Sequence, residues 1–193
     1  MDVTFDNKKQ MFVFDFEHDG VEDIVTLTGD GYQVEAFDRC FYYGYEFSDQ
    51  VDGLAKAAFL DYATKAYDLK KYPDLTDFVK IAIDALHRRI NLYKYDLVVQ
   101  PEASNKLNQY MMRYIYRFAQ PKLCKVEDLL NKDMDEKLCS SIRQQNVLII
   151  DDVTTSGSTL NEILRTLRIL NEDNEITIFS LIGRKDLMAE AVI

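Results

Sequence analysis

Two adjacent carboxylates, Asp151 and Asp152, are followed within eight residues by five hydroxyl side chains: Thr154, Thr155, Ser156, Ser158 and Thr159. Acids at the tip of a strand hold a polyol or its metal. A hydroxyl-rich turn leading into a helix holds a phosphate, because backbone N–H groups and the positive end of the helix dipole converge there. The chemistry implied is the grip of a sugar that carries a phosphate.

The flanking pattern supplies the elements to position these groups. Val147 to Ile150 are four apolar residues with the length and branching of a fully buried parallel strand. Behind the loop, Leu160, Ile163, Leu164, Leu167 and Leu170 recur at i, i+3, i+4, i+7 and i+10, a helix with one buried face. Ser156 or Ser158 can cap that helix, and Gly157 lets the backbone approach a ligand without a Cβ in between. A second strand, Ile176 to Ile182, completes a strand-loop-helix-strand unit.

The stretch from Val147 to Leu160 resembles the phosphoribosyl-pyrophosphate (PRPP) signature of type I phosphoribosyltransferases: four hydrophobic residues, two acids, two variable positions and a small, hydroxyl-rich loop ending in Thr. The resemblance implies a parallel α/β sheet flanked by helices. It implies that Asp151 and Asp152 take the catalytic place, binding the ribose hydroxyls with Mg²⁺ nearby. It also implies that Thr155, Ser156, Gly157, Ser158 and Thr159 bind the 5-phosphate. No directly ligating metal residue is implied.

Other strands end in Asp-Asp. Phosphate-accepting receiver domains carry the pair near the start of the domain, whereas here it stands near the end of the chain. A Walker B strand needs a Gly-x-x-x-x-Gly-Lys partner, and none of the seven glycines forms one.

A second unit precedes the first. Leu97 to Val99 read as a short buried strand, and a helix follows with Leu107, Met111, Tyr114, Ile115 and Phe118 on its inner face. Between them, Ala103, Ser104, Asn105 and Lys106 supply a hydroxyl, an amide and a cation at a helix start. The resemblance places pyrophosphate there; on residue type alone, Ser104 or Asn105 capping the helix is an equal reading. Leu123 to Val126 read as a strand and Val126 to Gln145 as a charged, mostly helical segment. Family enzymes carry a closing lid in that interval, and this one has no glycine to make a mobile hairpin. Thr155 stands where several purine-using members place a general base, a role a threonine cannot take.

Residues 1–93 read as an N-terminal α+β extension, a hood or interaction element, and residues 94–193 as the core. Met11 to Phe16 and Ile24 to Leu27 are expected to form an antiparallel hairpin around His18-Asp19-Gly20. Val34 to Phe47 is expected to be an aromatic strand that either packs on helices or forms an oligomer interface. Helices are expected over Gln50 to Asp68 and from Pro73-Asp74, with Val79, Ile83, Leu86 and Ile90 on one stripe.

Composition bounds the partners. With 23 basic and 33 acidic residues the net charge is −10, and the first thirty residues hold two lysines against eight acids. Such a surface repels a nucleic-acid backbone. No apolar run is long enough to span a membrane, and no signal-peptide pattern is present, which makes the expected compartment the cytoplasm. Three cysteines and two histidines share no zinc-like spacing. The expected activity is transfer of phosphoribosyl from PRPP to a nitrogenous base with pyrophosphate release, with Mg²⁺ as cofactor and, by family habit, a homodimer. The alternative is a phosphoribosyltransferase-like regulator, sensor or assembly module without turnover.

Overall fold

The computed structural model describes residues 2–34, 37–65, 68–101, 107–118, 122–125, 145–170 and 172–183. In chain order the strands are β1 (Asp2–Asp6), β2 (Met11–His18), β3 (Val21–Gln33) and β4 (Cys40–Phe47). Helices α1 (Gly53–Thr64) and α2 (Pro73–Arg89) follow. Then come β5 (Leu97–Gln100), α3 (Leu107–Ile115), β6 (Lys122–Lys125), β7 (Asn146–Val153), α4 (Ser158–Leu170) and β8 (Glu175–Ile182).

All the strands join one eight-stranded sheet in the order β1-β2-β3-β4-β8-β7-β5-β6. The first four are antiparallel, and β4, β8, β7, β5 and β6 run parallel. This corrects the expected fold class. The sheet is mixed, not a mainly parallel phosphoribosyltransferase-like sheet with a hairpin appended. The cause is the aromatic strand, which pairs directly with β8 through Cys40↔Ile176 to Gly44↔Ser180 and so fuses the antiparallel strands onto the parallel ones.

Sequence reading placed the hairpin turn but not its extent. Asp19 and Gly20 both have positive φ, as a two-residue loop between right-twisted strands requires, and His18 pairs with Val21 across it. β3 runs on to Gln33, and Val34 and Phe37 lie in the connection to β4, so the expected strand from Val34 begins instead at Cys40. Helix α1 is shorter than expected because Asp52 caps it, its carboxylate accepting from the Leu54 N–H at 2.8 Å. The segment 126–144 lies outside the described residues.

Each face of the sheet carries its own core. On one, Phe12, Phe14 and Phe16 of β2 meet Phe59 of α1 and Phe78 of α2, and α3 adds Leu107, Met111 and Ile115. Phe12 and Phe78 cross edge-on at 4.5 Å and Phe14 and Phe59 at 4.8 Å, contacts worth about 0.5–1.5 kcal/mol each beyond the area they bury. The other core packs Leu160, Ile163, Leu164 and Leu167 of α4 on Val147, Ile149, Ile176 and Ile178. Of the two readings of the aromatic strand, packing holds for Tyr42 and Tyr45, which are buried on opposite faces of β4. Among the described residues no helix is long and apolar enough to cross a membrane.

Candidate functional site

The parallel strands change direction of winding once. From β5 the chain passes through α3 to β6 on one side, and from β7 through α4 to β8 on the other. α3 and α4 pack on opposite faces. Where winding reverses, the two connections diverge and leave a crevice at the carboxyl ends of the neighbouring strands, the usual ligand site in open α/β sheets. Here the neighbours are β5 and β7. Val99 pairs with Ile149 and β5 stops one residue later at Gln100, while β7 continues to Val153. Asp151 and Asp152 therefore project past the end of the strand beside them.

The two acids are not equivalent. Asp151 lies opposite Ser180 on β8. Its Oδ2 accepts from the Thr154 hydroxyl at 3.3 Å, and that hydroxyl also hydrogen-bonds Ser180. Burial, and next the neighbouring Asp152 charge, push the Asp151 carboxyl up to about 7. Asp152 accepts the Val153 N–H at 2.8 Å on Oδ1, while its buried Oδ2 has no partner. Of the pair, Asp152 is the one with an oxygen left for a ligand.

Thr155, Ser156, Ser158 and Thr159 are exposed around a buried Gly157. Gly157 has φ 69°, which favours glycine, and its carbonyl accepts from Asn161 at 2.9 Å, opening α4. Ser156 Oγ lies 2.9 Å from Ser158 Oγ and accepts the Ser158 N–H at 3.4 Å. The backbone of Gly157 thus takes the capping position, with Ser156 beside it. The structure brings the acid pair and the hydroxyl loop together at the carboxyl end of β7. The pyrophosphate-binding expectation at Ala103, Ser104, Asn105 and Lys106 lies outside the described residues.

One residue of this site was not singled out from sequence. Asn108, in the first turn of α3, is 1% exposed and lies beside Asp151, where its amide opposes the rise of that carboxyl's pKa. It does so by directing its N–H at the carboxylate, which leaves Asn108 Oδ1 as the amide atom without a partner. Gln100 Oε1, at the end of β5, is buried and unpartnered too. The signal was present in the sequence: position 108 falls one turn before Met111 and Met112 and two before Ile115, on the buried stripe of an otherwise apolar helix face.

A cleft of about 540 Å³ opens next to the loop, between β4, α1 and the end of β8. Glu46, Phe47, Lys56, Thr154, Thr155 and Gly183 line it. Elsewhere, His18, Asp19 and Asp61 cluster at the β2–β3 turn, but Lys65 Nζ already sits 2.8 Å from Asp61 and lowers that carboxyl's pKa. That group is an ion-pair cluster joining the turn to α1.

A scan of protein-family models finds none that matches this chain, and a search of curated proteins finds no match.

Proposed function

We propose that the chain binds PRPP with Mg²⁺ in the crevice between β5 and β7 and transfers its phosphoribosyl group to a nitrogenous base, releasing pyrophosphate. The observation that carries this reading is the overhang of β7. It presents an acid pair and a hydroxyl loop at a helix N-terminus to the same crevice. The loop from Thr155 to Thr159 holds the 5-phosphate as a remote handle. Asp152 holds the ribose while positive charge develops at C1, with Asp151 fixed behind it by Thr154. Mg²⁺ fits this end of the sheet, where Asp152 Oδ2, Gln100 Oε1 and Asn108 Oδ1 are hard, unpartnered oxygens. When bound it neutralises charge on the departing pyrophosphate.

The cleft beside Thr155 receives the acceptor. Glu46 on its wall offers the carboxylate that Thr155 lacks, placing proton removal on β4. Cys40 is a free thiol whose pKa burial raises to about 12, so it serves as no nucleophile in this reading.

Binding without turnover, as in a PRPP sensor, is favoured by one observation. Asp151 is tied to Thr154 and its pKa is raised to near neutrality, so one of the two acids gives little charge to a cationic transition state. Calorimetry with Mg·PRPP, followed by pyrophosphate release across a panel of bases, separates the two. Binding with release supports transfer, and binding alone supports the sensor. Asp152→Asn is expected to weaken Mg·PRPP binding or turnover at least tenfold, about 1.4 kcal/mol. An unchanged affinity and rate in that variant removes the acid pair from the site.

A further inference from the structure

We infer that the cleft beside Thr155 selects a nitrogen ring that bears a carboxylate, and that Lys56 is the residue that selects it. This selection rests on the transfer reading above and names the class of its second substrate.

The cleft holds opposite charges apart. Lys56 and Leu60 stand at i and i+4 on α1, so one face of that helix gives the cavity an ammonium and an apolar side chain. Glu46 and Phe47 enter from the end of β4, and Asp49 from just beyond it. Lys65, Lys80 and Lys94 each form an ion pair with a nearby acid. Lys56 forms none among the described residues, although two carboxylates line the same cleft. Within a cavity of about 540 Å³ the ammonium and the carboxylates are therefore kept from meeting. Partial burial strips water from Lys56, so an opposite charge brought by a ligand gains more there than at an open surface.

These groups select the ligand. An ammonium only donates and a carboxylate only accepts, so the ligand accepts at one end and carries an N–H at the other. Phe47, Leu60 and Ile182 offer apolar surface to a flat ring between the two. A carbonyl at the accepting end makes a hydrogen bond to Lys56, but a carboxylate makes the stronger, charge-assisted one. Asp49 is exposed, so water and salt screen its repulsion of that anion, and the half-buried Glu46 and Lys56 balance one to one. The carboxylate at Lys56 thus fixes which ring nitrogen faces the sugar. That nitrogen bonds to C1 as the C1–O bond to pyrophosphate breaks, and its proton passes to Glu46.

The test titrates the full chain with two matched pairs of rings, pyridine-3-carboxylate against pyridine-3-carboxamide and uracil-6-carboxylate against uracil. Mg²⁺ and saturating ribose 5-phosphate are present, since that sugar has no leaving group at C1 and cannot react. The wild type is expected to bind the carboxylate at least tenfold more tightly than its neutral partner in one or both pairs. Lys56→Met is expected to lose that preference and keep its affinity for ribose 5-phosphate, and Lys56→Arg to restore the preference. Lys56→Gln provides the same comparison if the methionine variant does not fold. A Lys56 variant without positive charge that still prefers the carboxylate overturns the inference. So does one that loses ribose 5-phosphate while sparing the ring preference, since Lys56 then serves the sugar phosphate. A wild type that binds Mg·PRPP but does not distinguish the rings defeats this inference and leaves the proposed function standing. A wild type that binds none of the probes, Mg·PRPP included, defeats both.

Discussion

At the amino ends of the parallel strands, Asp96 exchanges hydrogen bonds with Asn146, donating from its N–H at 2.9 Å and accepting on Oδ2 at 3.0 Å. Close by, Asn174 accepts the Gln145 N–H at 3.0 Å and donates to the Leu167 carbonyl at 3.3 Å, and Lys94 pairs with Glu175. At the carboxyl ends of β5 and β7, by contrast, Gln100, Asn108 and Asp152 each keep a buried polar atom without a partner. At the amino end, Gln145 Oε1 and the Nε and Nη2 of Arg168, whose Nη1 donates to the Glu172 carbonyl ahead of β8, are the buried side-chain atoms without a partner among the described residues. Both ends contain asparagines and aspartates; at one they bind the chain to itself, and at the other they are withheld from it. On the proposed reading, fold stability and ligand binding fall at opposite ends of the same strands.

Substitutions at the two edges should separate accordingly. The largest stability effect is expected from Asn174→Ala, which strands the Gln145 N–H and a buried carbonyl. It should cost about 2–3 kcal/mol in denaturant unfolding while leaving Mg·PRPP affinity intact. A loss of affinity matching the loss of stability would erase the distinction between the edges.

Asp151→Asn should act in the opposite direction, and with a pH signature. The carboxyl's ordinary value is 3.8, and in the folded protein it is raised to about 7. The folded state therefore keeps a proton that the unfolded state gives up. That contribution is complete below pH 4 and is lost as pH rises through 7. The variant should be more stable than wild type at pH 8, by at least about 1.4 kcal/mol, and the advantage should vanish near pH 4. Parallel melting curves for the two proteins across that range would mean that Asp151 is not strained.

The smallest effect is expected at the rim of the amino end. Lys94 and Glu175 are each more than a third exposed, so Lys94→Ala should shift stability by under about 1 kcal/mol, and less in high salt.

What was legible in the sequence follows the same division. β7, α4 and β8 could be read because four buried apolar residues and an i, i+3, i+4 stripe are local signals. The acid pair and hydroxyl loop lie next to each other in the chain, so their meeting in space was legible too. The pairing of β4 with β8 was not, because Cys40 and Ile176 are far apart in sequence and no periodicity encodes a partner. β1 escaped notice because two aspartates bound its five residues, and it is identified only by its register against β2. Asn108 was passed over for its apolar neighbours, although an amide on a buried stripe is the informative exception.

One titration compares the two edges directly: the side-chain amide resonances of Asn108 and Asn174, followed by NMR in a single sample as Mg·PRPP is added. The account predicts that Asn108 shifts to saturation together with the backbone N–H groups of Ser156 to Ser158, while Asn174 stays in place. Movement of Asn174 with Asn108 silent, or no movement of either at saturating ligand, would contradict it.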